Sequence, residues 1–198
     1  MHRIAARCTL LLFFGSALYL TTRLAVSEAR LRLNPELALY SSPDQLRVAV
    51  RLNPRLSSAW IQLGLDAEQD GNLQEAETDL LRAARVDRQY VPAWTLANFY
   101  FRSGNSGNFW VWAQRAAALT FDDYRPLLRL ADVLEPSPRE VATRLKGGPP
   151  LLRAYLDLLI GEGRLDAAQE IAALLISQHD PSDRARLADL AERRRLAR

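Results

Sequence analysis

Apolar residues recur every three or four positions along most of the chain, a spacing typical of amphipathic helices. Continuous runs of β-branched residues, which would indicate strands, are almost absent. The stretch AWIQLGLDAEQDGN begins at Ala59, and AWTLANFYFRSGNSGN begins thirty-four positions later at Ala93. Both stretches open with Ala-Trp and end at a cluster of Gly and Asn, residues that interrupt helices. The pattern predicts an all-α fold that contains a repeated element.

The second half of this element also recurs. QDGNLQEAETDL at residues 69–80 is paralleled by GEGRLDAAQEIA at residues 161–172, and each has a glycine turn before a second helical segment. The repeated element is therefore a pair of helices joined by a short turn. A single pair cannot bury its apolar face, whereas stacked pairs can. We expect about four pairs followed by one terminal helix.

Two serines mark further helix starts. Ser42 and Ser137 are each followed by proline and, three residues on, by Gln or Glu. This is the capping box, in which the serine caps the helix and the Gln or Glu side chain reaches back. It predicts a helix over residues 43–52 and another from residue 138 to the glycines at 147–148. DYRPLLRLADVL, residues 123–134, reads as one helix, and the last helix is expected to begin near residues 180–181.

One helix pair carries a family pattern. In a 34-residue unit that begins at Ser57, the informative residues are Trp60, Leu63, Gly64, Ala67, Ala76, Leu80 and Ala83. This set resembles the tetratricopeptide repeat, in which small residues at positions eight, twenty and twenty-seven let two antiparallel helices approach closely. Units at residues 57–90, 91–124 and 149–182 match the pattern, the second less well than the others.

The departures from the pattern fall mainly in the second unit. Asn98 stands where the family has glycine, and Trp110 stands where it has a small residue. The SGNSGN segment is read as holding about two extra residues, which predicts a looser turn. In the first unit, Arg88 replaces the family's closing proline.

The resemblance implies an architecture and a binding surface. We expect a right-handed superhelical solenoid of about four antiparallel helix pairs over residues 28–182, closed by a basic capping helix at residues 183–198. In the family, first-helix side chains line a concave groove that holds a protein or peptide. The matching positions here are Ile61, Leu65, Glu68, Thr95, Phe99, Arg102, Arg153 and Asp157.

Aromatic residues are concentrated between residues 99 and 112, in NFYFRSGNSGNFWVWAQRA. Large rings at this density can fill space around an irregular turn. They can also anchor a partner peptide or stack on a sugar ring. The sequence leaves both interpretations open.

The chain starts with an apolar segment. Residues 4–26 contain an uninterrupted apolar centre with an arginine near each end, which suits a membrane-spanning helix. A cleaved signal peptide is the alternative, because residues 25–27 offer a small-residue cleavage site. We favour a retained anchor over residues 1–27, since helix-forming residues continue without a turn. The expected protein is then single-pass, with its body outside the cytoplasm.

The charge distribution argues against nucleic-acid binding. Residues 1–35 hold five arginines and one glutamate, and residues 184–198 hold six arginines and two acids. Residues 36–183 hold fifteen basic and twenty acidic side chains, so the body of the protein is acidic. A basic face that could follow a phosphate backbone is therefore not expected.

The residues needed for catalysis or metal binding are scarce. The chain has one cysteine, Cys8, and two histidines, His2 and His179. A histidine relay or a transition-metal site cannot be assembled from these, and neither a dinucleotide-binding nor a phosphate-loop motif occurs. We expect no enzyme activity, no cofactor and no metal.

Twenty-five arginines against one lysine suggest a GC-rich bacterial source. The resulting hypothesis is a membrane-anchored scaffold for protein–protein interactions at the bacterial cell envelope, for example in envelope or polysaccharide assembly and export. The alternative is a secreted carbohydrate-binding or enzyme-accessory module.

Overall fold

The structure is a computed structural model that describes residues 16, 18–23, 25–26, 42–120, 123–176 and 183–196. The described part is all-α, as predicted, and contains no strand. From residue 42 onward, the helices of the described part are α1 (Pro43–Leu52), α2 (Ser57–Gln69), α3 (Leu73–Val86), α4 (Tyr90–Arg102), α5 (Ser106–Leu119), α6 (Arg125–Leu134), α7 (Pro138–Leu145), α8 (Gly148–Gly161), α9 (Leu165–Ile176) and α10 (Arg184–Leu196).

Most of the predicted membrane segment, residues 4–26, lies outside the described residues. The described residues between 16 and 26 are helical, and the Thr21 and Thr22 hydroxyls both donate to the Leu18 carbonyl. Among the helices that the structure describes, none combines the length and the apolarity needed to cross a bilayer.

Helix boundaries follow local capping chemistry. The Ser42 side chain accepts from the Gln45 backbone N–H, and the Gln45 side chain accepts from the Ser42 backbone N–H. This reciprocal pair fixes the start of α1, whose bounds match the prediction. At α7, Ser137 caps the Glu140 N–H, but its own N–H donates to the Glu135 side chain rather than to Glu140. The predicted return contact from Glu140 is therefore wrong.

The chain divides into two compact units, Met1–Arg88 and Gln89–Arg198. In the first unit, α2 and α3 form an antiparallel hairpin, and α1 packs against α2. The core between α1 and α2 consists of Leu46, Val50, Leu56, Ala59 and Leu63, with Ala49 and Trp60 packed against it.

A close approach holds the hairpin α2–α3 together. A Cβ atom at Gly64 would lie 2.7 Å from the Leu80 Cγ atom, and 3.1 Å from the Ala76 carbonyl oxygen. Ala76 and Ala83 of α3 are fully buried. These small residues let the two backbones approach until the Leu80 side chain occupies the space above Gly64, and the apolar area removed from water stabilises the pair.

In the second unit, α4–α5 and α8–α9 are also antiparallel hairpins, while α6 and α7 form a shorter pair between them in the chain. The interior is made mainly of aliphatic and aromatic side chains, including Leu96, Phe109, Leu128, Tyr155 and Ile171. Helix α7 ends at Leu145, and its C-cap residue, Lys146, adopts a left-handed conformation (φ 52°). The glycines at 147–148 follow, as predicted, and the second of them begins α8.

Candidate functional site

Three hairpins are closed by the same turn. In α2–α3, the N–H groups of Asp70, Gly71 and Asn72 donate to the carbonyls of Asp66, Glu68 and Ala67. The same bonds recur thirty-three residues later in α4–α5, at 103–105, and again in α8–α9, at 162–164. The central glycine has a positive φ in each case, at Gly71, Gly104 and Gly163. This left-handed position is one that glycine adopts without strain.

The prediction of a looser turn in the second hairpin is therefore wrong. Three residues separate α4 from α5, as they do α2 from α3, because residues 106–108 of SGNSGN form the first turn of α5. Asn105 caps that helix by accepting from the Asn108 N–H at 3.1 Å, as Asn72 caps α3 by accepting from the Glu75 N–H. The second asparagine-glycine repeat thus supplies a helix start and no insertion.

The shared turn fixes which residues of the hairpins are equivalent. Counted from the turn, the equivalent residues lie thirty-three apart, whereas the Ala-Trp motif repeats at thirty-four. Burial agrees with the turn: Leu63 and Gly64 are buried in α2, as are Leu96 and Ala97 in α4. Ala97 therefore takes the small-residue position of Gly64, and Asn98 corresponds to Leu65.

The predicted groove residues of α2 share one face of that helix. Ile61, Leu65 and Glu68 follow at intervals of four and three residues, which places them in one row. All three side chains are half-buried. This face is apolar with an acidic end.

The predicted groove residues of α4 occupy different environments. Thr95 is half-buried and its hydroxyl donates to the Val91 carbonyl at 2.9 Å, while Arg102 is exposed. Phe99 is 2% exposed and belongs to the interior. In the turn-based register, the counterparts of Ile61, Leu65 and Glu68 are Trp94, Asn98 and Phe101, and all three are half-buried.

The Ala-Trp motif does not identify Trp94, Asn98 and Phe101 as the counterparts of the α2 residues. The repeated Gly-Asn pairs, Gly71-Asn72 and Gly104-Asn105, were the signal that would have found them. On α4, Trp94 stacks on Tyr90 with ring centroids 6.1 Å apart and an interplanar angle of 9°. Whether either set binds a partner stays a prediction.

The predicted residues of α8, Arg153 and Asp157, contact the terminal helix segment. The Arg153 guanidinium donates to both carboxylate oxygens of Asp183, at 2.7 and 3.3 Å. The Arg186 Nε atom donates to both oxygens of Asp157, at 2.9 and 3.0 Å. Both predicted site residues of α8 are therefore paired with oppositely charged residues of the same chain.

Some rings of the aromatic cluster at residues 99–112 lie in the interior, and two others have an arginine over the ring. Phe99, Tyr100 and Phe109 are buried, and Phe99 meets Tyr100 edge to face at 5.2 Å. The structure favours the space-filling interpretation for these three rings. The guanidinium of Arg144 lies 5.0 Å from the ring centroid of Trp110, and that of Arg115 lies 4.4 Å from that of Trp112.

One aspartate in the second unit is held by two donors. Asp132 of α6 accepts from the Tyr155 hydroxyl of α8 and from Arg164, the last residue of the α8–α9 turn. Burial raises the pKa of the Tyr155 hydroxyl, and its hydrogen bond to Asp132 raises that pKa further. A phenol with a raised pKa stays protonated at neutral pH, so Tyr155 acts as a donor and not as a base. The cluster cross-links three elements.

A second charged group lies in the first unit. Burial raises the pKa of the Asp79 carboxyl on α3, while the nearby Arg82 opposes the shift. The Arg82 guanidinium stands 3.6 Å from Asp79 and 4.8 Å from the centroid of the Trp60 ring. Within the part of the chain that the structure describes, no three His, Cys, Asp or Glu side chains are grouped so as to hold a metal ion.

Taken together, the described part is an all-α protein built from helical hairpins, with charged and aromatic side chains on the first helices of the hairpins. Comparisons with family models, with curated proteins and with solved structures found no match.

Proposed function

We propose that the protein is a non-catalytic scaffold of the tetratricopeptide kind, a solenoid of helix pairs that binds a protein or peptide partner through the first helices of its hairpins. The observation that carries the proposal is the identical turn in α2–α3, α4–α5 and α8–α9. A turn repeated in three hairpins is typical of repeat proteins, in which similar units stack and present one extended surface.

The side chains on the first helices support a protein partner. Equivalent positions carry Ile61, Trp94 and Arg153, then Leu65, Asn98 and Asp157. A surface that combines apolar, aromatic and charged side chains fits a peptide or a helix, which offers the same mixture. A flat anionic polymer would require a basic surface instead.

The proposal places the scaffold at the bacterial envelope, held by residues 4–26, with its body outside the cytoplasm. The support is the apolar segment with flanking arginines in the sequence. An anchor restricts diffusion to two dimensions and raises the local concentration of whatever the hairpins hold. Envelope or polysaccharide assembly and export are the processes in which such a scaffold is expected.

Site-specific photo-cross-linking in bacterial cells tests the proposal. A photoreactive amino acid replaces Leu65 on α2 in the full chain, and a matched control replaces Arg85, which is exposed on the second helix of the same hairpin. We expect a discrete cross-linked species in the membrane fraction from position 65 and none from position 85. Equal cross-linking at both positions, or none at either, would contradict a first-helix binding surface.

Fractionation of the same cells tests the anchor. The full chain is expected in the membrane pellet after alkaline extraction, with residue 1 or 2 at its N-terminus. A soluble extracytoplasmic form that starts near Glu28 would instead indicate a cleaved signal peptide and favour the secreted alternative.

The carbohydrate-binding alternative has less support. Sugar rings stack on open aromatic faces. Trp60, Trp110 and Trp112, three of the four tryptophans, have an arginine guanidinium over the ring. A protein partner therefore remains the proposal.

A further inference from the structure

The terminal helix α10 is attached to the hairpin α8–α9 chiefly by charged side chains. Within α10, Leu190 is the buried residue, whereas α9 buries four apolar side chains: Ala168, Ile171, Ala172 and Leu175. At the far end of α10, the Arg194 guanidinium donates to Asp166 at 2.8 Å and to the Leu165 carbonyl at 3.2 Å. Charged side chains therefore contact the hairpin at both ends of α10, whereas one side chain of α10, Leu190, is buried.

At the N-terminal end of α10, two ion pairs form a pattern of alternating charge. Arg153 and Asp157 lie one helical turn apart on α8, and Asp183 and Arg186 lie three residues apart at the start of the terminal helix segment. Each basic side chain meets an acidic one: Arg153 meets Asp183, and Asp157 meets Arg186. Exchanging Arg153 with Asp157, or Asp183 with Arg186, would put like charges together. The contact therefore discriminates between the two charge patterns.

The two pairs differ in exposure. The Asp183 side chain is 3% exposed and that of Arg153 is 23% exposed, while those of Asp157 and Arg186 are 51% and 35% exposed. The outer pair is open to solvent and to a competing side chain. Exposed ion pairs are weakened by salt and add little stability.

We infer that the surface of α8 that carries Arg153 and Asp157 is a docking site for a partner helix with aspartate three residues before arginine, and that α10 occupies this site in the free chain. The inference rests on the proposed function and names the kind of partner that this part of the scaffold binds. The occupant seen in the structure carries this charge pattern at a helix start, with Asp183 directly before α10 and Arg186 in its first turn. A partner helix of the same pattern displaces α10.

A peptide competition experiment tests the site. The probe is a labelled synthetic peptide of residues 183–196, DRARLADLAERRRL, titrated with the purified full chain and followed by fluorescence anisotropy. The Asp183→Asn/Arg186→Gln variant weakens the internal occupant and leaves Arg153 and Asp157 intact. We expect this variant to bind the peptide about tenfold more tightly than the unmodified chain does, which is a readily measured difference.

The matched control exchanges charges. A peptide with Asp183→Arg and Arg186→Asp is expected to bind the variant about tenfold more weakly. Adding Arg153→Asp/Asp157→Arg to the variant is expected to reverse this preference. Raising the salt from about 50 to about 500 mM is expected to weaken binding of the unaltered peptide, since salt screens the exposed pair between Asp157 and Arg186.

Hydrogen exchange on the same variant separates opening of the site from unfolding. Amides of α10 are expected to exchange about tenfold faster, while those of α8 and α9 keep their protection. Equal peptide affinity in the unmodified chain and the variant, or equal affinity for the two peptides, would overturn the inference. A variant that forms a dimer and no longer binds peptide would assign the site to a second copy of the chain and would also overturn it. The cross-linking result at Leu65 does not depend on α10, so failure of the inference and failure of the proposed function are distinguishable.

Discussion

The hairpins α2–α3 and α4–α5 have the same turn but distribute side-chain volume differently. In the first, Gly64 faces Leu80, and Ala76 lies one helical turn before Leu80. In the second, the three equivalent residues are Ala97, Ala113 and Phe109, so the large residue has moved by one turn along the second helix. Five of these six residues have buried side chains, and a Cβ atom at the sixth, Gly64, would clash with Leu80.

The difference shows that the turn fixes how the two helices meet, while the sizes of the facing residues can be exchanged. A core must be filled to close-packed density, but more than one arrangement of large and small side chains fills it. The third hairpin differs again, because it has Arg153 where the first two have Ile61 and Trp94. There, the side chain makes an ion pair with Asp183.

The largest expected effect on stability comes from replacing Phe109, the large buried residue of the hairpin α4–α5. Phe109→Ala should lower the free energy of unfolding by about 3–5 kcal/mol, because it empties a fully buried site. Val111→Ala, at a half-exposed position on the same helix, is the control and should cost under about 1 kcal/mol. Urea denaturation measures both. Similar losses for the two variants would mean that Phe109 does not fill the hairpin core.

The next effect concerns the charged position of the third hairpin. Arg153→Ala leaves the buried Asp183 without its bidentate partner, and should cost on the order of 2 kcal/mol, between the values for exposed and buried pairs. Arg193→Ala removes the exposed pair with Asp189 and should cost under about 1 kcal/mol. Thermal denaturation and hydrogen exchange of α10 compare the two. A loss no greater than the control's would show that the Arg153 contact adds no stability.

A smaller effect is expected at the close approach in the first hairpin. Gly64→Ala places a methyl group 2.7 Å from Leu80, and overpacking outweighs the better helix propensity of alanine by about 1 kcal/mol. Gly161→Ala, where the added carbon meets nothing within 4 Å apart from its chain neighbours and its own helix backbone, should be neutral or stabilising. In a double-mutant cycle, Leu80→Ala should remove the penalty of Gly64→Ala. Strict additivity would mean that the two residues do not limit the helix approach.

The smallest effect depends on pH and tests the buried carboxylate of the first hairpin. The raised pKa of Asp79 means that its charged form is less favourable in the folded state than in the unfolded one. The resulting penalty is absent below the ordinary value of 3.8 and develops as the pH rises through the folded-state pKa. Asp79→Asn should therefore raise the thermal midpoint at pH 7 but not at pH 3. A gain that is independent of pH would exclude the desolvation explanation.

Local features were predictable from the sequence because they depend on neighbouring residues. Ser42 and Gln45 bond to each other's backbone N–H, so α1 has the predicted bounds. Gly71 and Gly163 end first helices because their φ angles are positive. Helical periodicity was likewise sufficient to predict the all-α class, since amphipathic spacing depends on the backbone geometry of one helix.

The register of α4 was not predictable from the Ala-Trp motif. Trp60 is the fourth residue of α2 and Trp94 the fifth residue of α4, so the most conspicuous repeated side chain is displaced by one position. A displacement of one residue rotates a side chain by about 100° around the helix. That rotation places Phe99 in the interior and turns Trp94 to the position of Ile61.

By itself, the amino-acid sequence determined where helices start and stop, because caps, glycines and apolar periodicity act over three or four neighbouring residues. Tertiary structure alone decided which of the predicted groove side chains are buried or paired within the chain. Phe99 is buried, and Arg153 and Asp157 are paired with residues about thirty positions away. Burial and ion pairing depend on which helices pack together, and this depends on the fit of many side chains at once.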